Sequence, residues 1–137
     1  NFRIERNHPN CIDGLKRPLH TIIPGMVLSD YKPILSYGVM GGQYQPVGHV
    51  HVLNNIFDYN MNPQEALDFP RAFHFNNIYQ LELGIDKSIE DQMKKNGHET
   101  IRVTDTHGGG QAIRINWEEG LLIGGSDPRK DGFALGI

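Results

Sequence analysis

Two adjacent glycines, Gly41 and Gly42, are the first residues whose type and position could serve chemistry. They lie in the stretch GVMGGQYQPVGHVHV, after a predicted strand and before a predicted helix. A helix start presents unpaired N–H groups and a partial positive charge, and glycines would let an anion or a developing oxyanion reach that backbone. The alternative is a strand-to-helix turn that needs positive φ angles, and the spacing alone favours this simpler interpretation.

Histidines form two further candidate groups. His20 and Thr21, in RPLHTIIPGM, could act as a base and a nucleophile, but neighbours on a strand point to opposite faces, which favours a polar strand start. His49 and His51 could share a metal on a strand, but the helical period of this region turns them away from each other. We therefore expect no metal site, and no feature of the sequence predicts a cofactor.

Two loops rich in glycine complete the candidates. In GGSDPRKDG, Arg129 and Lys130 could hold an anion, although a solvated turn with the Asp127 side chain bonded to local backbone is the commoner arrangement. The stretch HGGGQ, residues 107–111, lacks the lysine of a phosphate-binding loop. The residues alone thus predict an oxyanion pocket at most.

Length and composition limit the class of protein. The chain has 137 residues, a formal net charge of −3, a single cysteine and 13 scattered Lys and Arg residues. This balance argues against a nucleic acid or an anionic membrane surface as a partner. No apolar run approaches the length of a membrane-spanning helix. We expect a single domain over residues 1–137 that is large enough to bury a core.

Hydrophobic periodicity and turn residues predict the elements that must position these candidates. Strands are expected over 21–28, 33–39, 78–84 and 99–105, with a hairpin over 111–125. Pro24 should interrupt the first strand or place it at a sheet edge. Three helices are expected: one from Pro46 to about residue 60, buried between layers, one from Asn62 to Pro70, and one over 88–97 capped by Ser88. The order predicts an α+β fold with helices packed on a largely antiparallel sheet.

Four segments together resemble the gamma-glutamyltranspeptidase family. They are KRPLHTIIPGM, GVMGGQYQPVGHVHVLNNIFDYNMNPQEALDFPR, GGGQAI and GGSDPRKDGFALG, in family order and over nearly the whole chain. The resemblance implies part of an N-terminal-nucleophile hydrolase fold, layered α-β-β-α. It also implies a precursor that cleaves itself, after which a new N-terminal threonine attacks γ-glutamyl amides such as glutathione. The acyl group would then pass to water, an amino acid or a peptide.

The resemblance implies roles for five residues. Gly41 and Gly42 match the glycine pair of the family's oxyanion hole, which favours the functional interpretation of that pair. His20 and Thr21 stand where better-known members have two serines that hold the substrate's α-carboxylate. Asn1 stands where an acidic residue binds the α-ammonium group. Thr21 can donate a hydrogen bond as a serine would, whereas Asn1 cannot supply a full negative charge.

These departures resemble the gamma-glutamyltransferase-like branch of the family and leave three functions open. The chain is expected to be part of a γ-glutamyl hydrolase or transferase; the alternatives are a related acylase for glutaryl-type acyl groups and a non-catalytic module. The nucleophilic threonine is expected upstream of Asn1, outside this C-terminal part of the small subunit, which should be inactive alone.

The expected partners are the remainder of the same precursor, including its large subunit, and a γ-glutamyl small molecule. An exposed sheet edge or apolar face would permit self-association. The compartment stays open, with the cytoplasm slightly favoured over the periplasm or secretion.

Overall fold

The computed structural model describes residues 2–136. Residues 2–23 precede the first strand and are irregular apart from a bridge between Arg3 and Cys11. The elements that follow are β1 (Pro24–Ser29), β2 (Lys32–Met40), α1 (Gln45–Phe57), α2 (Pro63–Asp68), β3 (Ala72–Phe75), β4 (Ile78–Glu82), α3 (Lys87–Lys95), β5 (Glu99–Val103), β6 (Gly109–Asn116) and β7 (Leu121–Ser126). Short 3-10 turns at Gly42–Tyr44 and Pro128–Lys130 flank the larger sheet.

The strands form two sheets. Four strands pair in the order β1-β2-β6-β7, and three pair in the order β3-β4-β5. Every pairing between these seven strands is antiparallel except that of β4 with β5. The predicted α+β class and the largely antiparallel pairing are therefore confirmed.

The main core lies between one face of the larger sheet and two helices. β2 and β6 supply inward side chains, α1 and α2 cover them, and Tyr44 closes the end nearest the Gly41–Gly42 turn. The buried apolar residues of this core are Leu35, Val39, Tyr44, Val52, Ile56, Ala66, Leu67 and Ala112.

The opposite face of the larger sheet is open. Met26, Ser36 and Ile113 are directly paired across β1, β2 and β6, so they share this face. Met26 is 61% exposed and Ile113 is 46% exposed, and Met40 and Leu122 on the same face are 50% and 70% exposed. The expected exposed apolar face is thus present, while self-association through it stays a prediction.

Local sequence signals fixed several element ends as expected. The Asn62 side chain accepts from the Glu65 N–H while the Glu65 carboxylate accepts from the Asn62 N–H, which is a complete capping box for α2. Gly97 follows α3 with a φ of +87°, as expected for a helix stop. Pro24 is the first residue of β1, the edge strand. Its lack of an N–H therefore costs the sheet no hydrogen bond.

Two expectations about the elements were wrong, and one strand was missed. The first strand begins at Pro24 rather than at residue 21, so Thr21 lies outside the ladder. Asp86, not Ser88, caps α3, because the Asp86 carboxylate accepts from the Ser88 N–H two residues further on. Strand β3 was not predicted; it pairs with β4 through a turn in which Asn76 and Asn77 both have positive φ.

The expected burial of α1 between two layers was also wrong for the described chain. Val47 is 45% exposed and Val50 is 56% exposed, whereas Val52 and Ile56 face the core. The helix is apolar on most of its circumference, so the period identified a helix without indicating which side meets the sheet.

Candidate functional site

A groove of about 540 Å³ lies at the end of the larger sheet, where β2 turns into α1. One wall is the irregular segment before β1, which includes Thr21, and the other is the Gly41–Gly42 turn. The lining residues are Thr21, Ile22, Ile23, Pro24, Tyr37, Gly38, Val39, Met40, Gly41, Gly42, Gln45, Gly109 and Gln111. The two stretches singled out in the sequence therefore line one groove.

The glycine pair adopts a backbone that other residues avoid. Gly41 has a φ of +130° and Gly42 a φ of +58°. A Cβ on Gly41 would lie 2.8 Å from the Gly108 Cα, whereas a Cβ on Gly42 would meet no atom within 4 Å. Gly41 is needed for a close backbone approach, and Gly42 borders open space in the groove.

The carbonyls that share a peptide group with the two glycine N–H groups, those of Met40 and Gly41, are both anchored inside the protein. A Cβ on Gly108 would overlap the Met40 carbonyl oxygen, so that oxygen packs against Gly108. The Gly41 carbonyl accepts from the Tyr44 N–H at 3.0 Å. Because C=O and N–H point in opposite directions across a trans peptide, the Gly41 and Gly42 N–H groups point away from these anchors.

Neither of these two N–H groups donates to a backbone carbonyl in the turns and loops of residues 2–136. Two adjacent free donors beside an open groove are the arrangement that stabilises an oxyanion in acyl transfer. Both glycines are exposed, so water can also satisfy the two N–H groups, and a turn that needs positive φ describes the same backbone.

The other predicted substrate residues are placed differently. Thr21 lines the groove wall, but the His20 ring does not; its Nε2 instead contacts the Ile22 carbonyl. Asn1 lies outside the described residues. The structure thus brings Thr21, Gly41 and Gly42 together, and their roles toward a substrate stay predictions.

Beneath the turn lies a buried cluster of four charged side chains, Arg71, Glu82, Asp127 and Arg129, which the sequence analysis did not find. Arg71 and Asp127 are fully buried and their side chains meet at 2.5 Å. Arg129 binds Glu82 through Nη2 at 2.6 Å and Asp127 through Nη1 at 3.3 Å. The Asp127 carboxylate also accepts from the Arg129 N–H, which confirms the expected bond to local backbone.

This ion cluster corrects the expectation of a solvated turn or an anion-binding loop. The Arg129 side chain is 9% exposed and already bound to two carboxylates, so it is not available to a ligand. The sequence signal was the opposite charges of Asp127 and Arg129 in SDPRK. Their partners Arg71 and Glu82 are more than 40 residues away.

The ion cluster holds the segment that supports the glycine turn. Arg71 Nη1 donates to the His107 carbonyl at 2.6 Å, and Glu82 accepts from the His107 N–H at 2.9 Å. Asp127 accepts from the Gly110 N–H at 2.8 Å. Gly108, between these two anchored residues, is the one that packs against Gly41, so the cluster fixes the floor under the turn.

Burial and pairing shift the ionisation of this region. Burial opposes the charge of Glu82, but the hydrogen bonds from Arg129 and from the His107 and Arg71 N–H groups outweigh it and hold its pKa below the usual 4.5. Burial raises the pKa of the Tyr44 hydroxyl to about 12. Burial lowers the pKa of His107, whose ring stacks on Tyr44 with centroids 5.6 Å apart.

The two histidines of α1 serve packing contacts. The His51 Nε2 pairs with the Asn55 amide at 3.1 Å, and the His49 ring packs on Tyr37 with centroids 4.9 Å apart. Within residues 2–136 no cluster of three His, Cys, Asp or Glu side chains could hold a metal ion. No described helix is long and apolar enough to cross a bilayer.

Solved structures place this architecture among the N-terminal-nucleophile hydrolases. A cephalosporin acylase from Bacillus halodurans superposes with a TM-score of 0.82 at 40% identity, over 97% of this chain and 25% of that one. A mutant gamma-glutamyltranspeptidase from Helicobacter pylori superposes with a TM-score of 0.75 at 30% identity, over 86% of this chain and 66% of that one.

Sequence comparison then identifies the family. The gamma-glutamyltranspeptidase family model matches residues 1–137. A curated relative, the glutathione hydrolase-like YwrD proenzyme of Bacillus subtilis, is 36% identical over 99% of this chain and 27% of its own length. The chain belongs to the gamma-glutamyltranspeptidase family. It spans about a quarter of the length of the curated relatives it matches.

Proposed function

We propose that this chain is part of an amidase that forms an acyl-enzyme and transfers γ-glutamyl groups from amides such as glutathione to water or an amine. The observation that carries the proposal is the pair of free N–H groups at Gly41 and Gly42, which face away from two anchored carbonyls at the edge of an open groove. The printed names of relatives, glutathione hydrolase proenzymes among them, support the same activity.

In this proposal the chain supplies the oxyanion hole and one side of the acyl site. The attacked carbonyl oxygen becomes negatively charged as the tetrahedral intermediate forms, and the two main-chain donors stabilise that charge. The nucleophilic threonine and the large subunit come from the remainder of the same precursor. Intact-mass analysis of the longer protein tests this part: a smaller subunit that begins with threonine supports self-cleavage, and a single uncleaved chain favours a non-catalytic module.

Gly120 provides a matched control for a test of the oxyanion role of Gly42. Gly42 and Gly120 have similar φ values, +58° and +67°, and a Cβ on either would meet no atom within 4 Å. Gly42→Ala and Gly120→Ala should therefore carry the same backbone strain, roughly 1 kcal/mol. Only Gly42 borders the groove, so only its added Cβ should intrude where an acyl carbonyl approaches the two N–H groups.

The assay is steady-state cleavage of a γ-glutamyl anilide and of a glutaryl anilide by the longer protein. Gly42→Ala should lower kcat/KM at least ten-fold, toward the roughly 10²-fold cost of misplacing a reacting group by about 1 Å, because its methyl group occupies the space that the acyl carbonyl needs. Gly120→Ala should stay within about two-fold of the parent. A Gly42→Ala enzyme with parental kcat/KM would refute the oxyanion assignment.

A specific feature of the groove favours a second candidate, an acylase for acyl groups without an amino-acid head. None of its lining residues in the described part of the chain carries a charge. A γ-glutamyl group presents an ammonium that needs a negative partner, whereas a glutaryl group does not. The cephalosporin acylase similarity agrees with this alternative. A higher kcat/KM for the glutaryl than for the γ-glutamyl anilide would decide for it.

A further inference from the structure

Gln45, the first residue of α1, connects the two walls of the groove. Its Nε2 donates to the Thr21 carbonyl at 3.1 Å and to the Gly42 carbonyl at 3.2 Å. A primary amide nitrogen carries two hydrogens, so one nitrogen can satisfy both acceptors at once. Both walls are thereby held within about 3 Å of a single atom.

The Thr21 wall has little else to hold it. It lies before the start of the β1 ladder, and Ile22 and Ile23 beside it are 75% and 42% exposed. Across the described chain, the Gln45 contact is the one side-chain hydrogen bond between residues 2–23 and residues 24–136. The opposite wall is rigid by comparison, because Tyr44, which is 2% exposed, and Gly108 anchor the glycine turn.

We propose that Gln45 is a positioning residue that sets the width of the acyl groove by tying the Thr21 wall to the oxyanion turn. This inference rests on the proposed acyl-transfer function. The Gly41 and Gly42 donors keep their own anchors without Gln45, since those anchors are the Tyr44 N–H and the Gly108 backbone. Loss of Gln45 should therefore weaken acyl-donor binding more than it slows the chemical step.

The test uses two substitutions of similar length in the longer protein. Gln45→Met removes both hydrogen bonds, and Gln45→Glu also places a carboxylate against two carbonyl oxygens. Gln92→Met makes the same chemical change on the exposed side of α3, where the Gln92 amide bonds only Asn96 within the described chain. Kinetics are measured with whichever anilide the parent cleaves.

Gln45→Met should raise KM about five-fold, the effect of losing the one neutral hydrogen bond to the Thr21 wall, while kcat falls less than two-fold. Gln45→Glu should raise KM further, and Gln92→Met should leave both constants unchanged. Thermolysin cleavage before Ile22, followed by mass spectrometry, needs a folded but not an active protein and should accelerate in both Gln45 variants only. Because that bond lies in the wall itself, a merely structural loss elsewhere would not change its cleavage rate.

The outcomes separate this inference from the proposed function. Parental KM and a parental rate of cleavage before Ile22 in Gln45→Met would overturn the role of Gln45, even if Gly42→Ala had lost its activity. If Gly42→Ala keeps its activity, the oxyanion assignment falls, and the cleavage rate still decides whether Gln45 holds the wall. A fall in kcat with unchanged KM would also overturn the inference, since it would place Gln45 in the chemical step.

Discussion

Replacing Asp127 by Asn tests whether the buried ion cluster holds the site together. The substitution keeps the shape of the side chain and removes its charge. Each carboxylate oxygen now accepts twice: one from Arg71 Nη2 and the Gly110 N–H, the other from the Arg129 N–H and Nη1. Whichever way the asparagine amide turns, its NH₂ faces two donors that lose their acceptor.

The expected loss of unfolding free energy follows from the partner left behind. Arg71 is fully buried, and the other described hydrogen bonds of its guanidinium go to the neutral carbonyls of Leu67 and His107. Breaking a buried pair by neutralising one member costs about 3–5 kcal/mol, because the remaining charge is uncompensated. Asp91→Asn is the matched control: its partner Lys87 lies at 3.1 Å with a 66% exposed side chain, so the loss should be about 0–1 kcal/mol.

The assay is urea unfolding of the longer protein, followed by far-ultraviolet circular dichroism. The variants compared, at the same m value, are Asp127→Asn, Asp91→Asn, Arg71→Met and the double variant of Arg71→Met with Asp127→Asn. Arg71→Met combined with Asp127→Asn should be more stable than the sum of the single losses implies, since the double variant leaves no isolated charge at position 71. The reasoning is refuted if Asp127→Asn costs no more than Asp91→Asn, or if the two buried substitutions are additive.

Two further predictions concern pH and substrate preference. The folded pKa of Glu82 lies below its usual 4.5, so its stabilising contribution is complete above that value and is lost as the pH falls through the folded pKa. Glu82→Gln should therefore lower the free energy of unfolding at pH 7 and make it fall less as the pH is lowered. Unfolding midpoints at about pH 7 and about pH 3 check this. A variant whose stability falls as steeply with acid as that of the parent would count against it. Asn1→Asp should raise the kcat/KM ratio of γ-glutamyl over glutaryl anilide, because an added carboxylate pairs with the substrate ammonium. An unchanged ratio would exclude position 1 as the ammonium site.

Sequence reasoning succeeded where a structure is decided by neighbours along the chain. The capping box of Asn62 and Glu65 and the stop at Gly97 need only a few residues, and all were found. Gly41 and Gly42 were found as a pair, and the family resemblance, rather than their spacing, favoured a functional role.

The missed features depend on residues far apart in sequence. Arg71 and Asp127 are 56 positions apart, so no local pattern announces that they meet in the core. The Gln45–Thr21 contact spans 24 positions and uses a main-chain acceptor, which leaves no trace in side-chain types. Which face of α1 meets the sheet is likewise decided by tertiary packing, because apolar residues occupy both sides of the helix.

The main-chain origin of the Gly41 and Gly42 donors has a consequence for how such a protein can diverge. Every residue except proline carries an N–H, so mutation of the surrounding side chains cannot delete these two groups. Only a proline at one of the two positions, or a change in the path of the backbone, can. The groove walls carry no such restriction, because Thr21, Gln45 and Gln111 can change without moving the turn. Selection could thus retune which acyl group is accepted, position by position, while the means of stabilising the reaction is inherited intact.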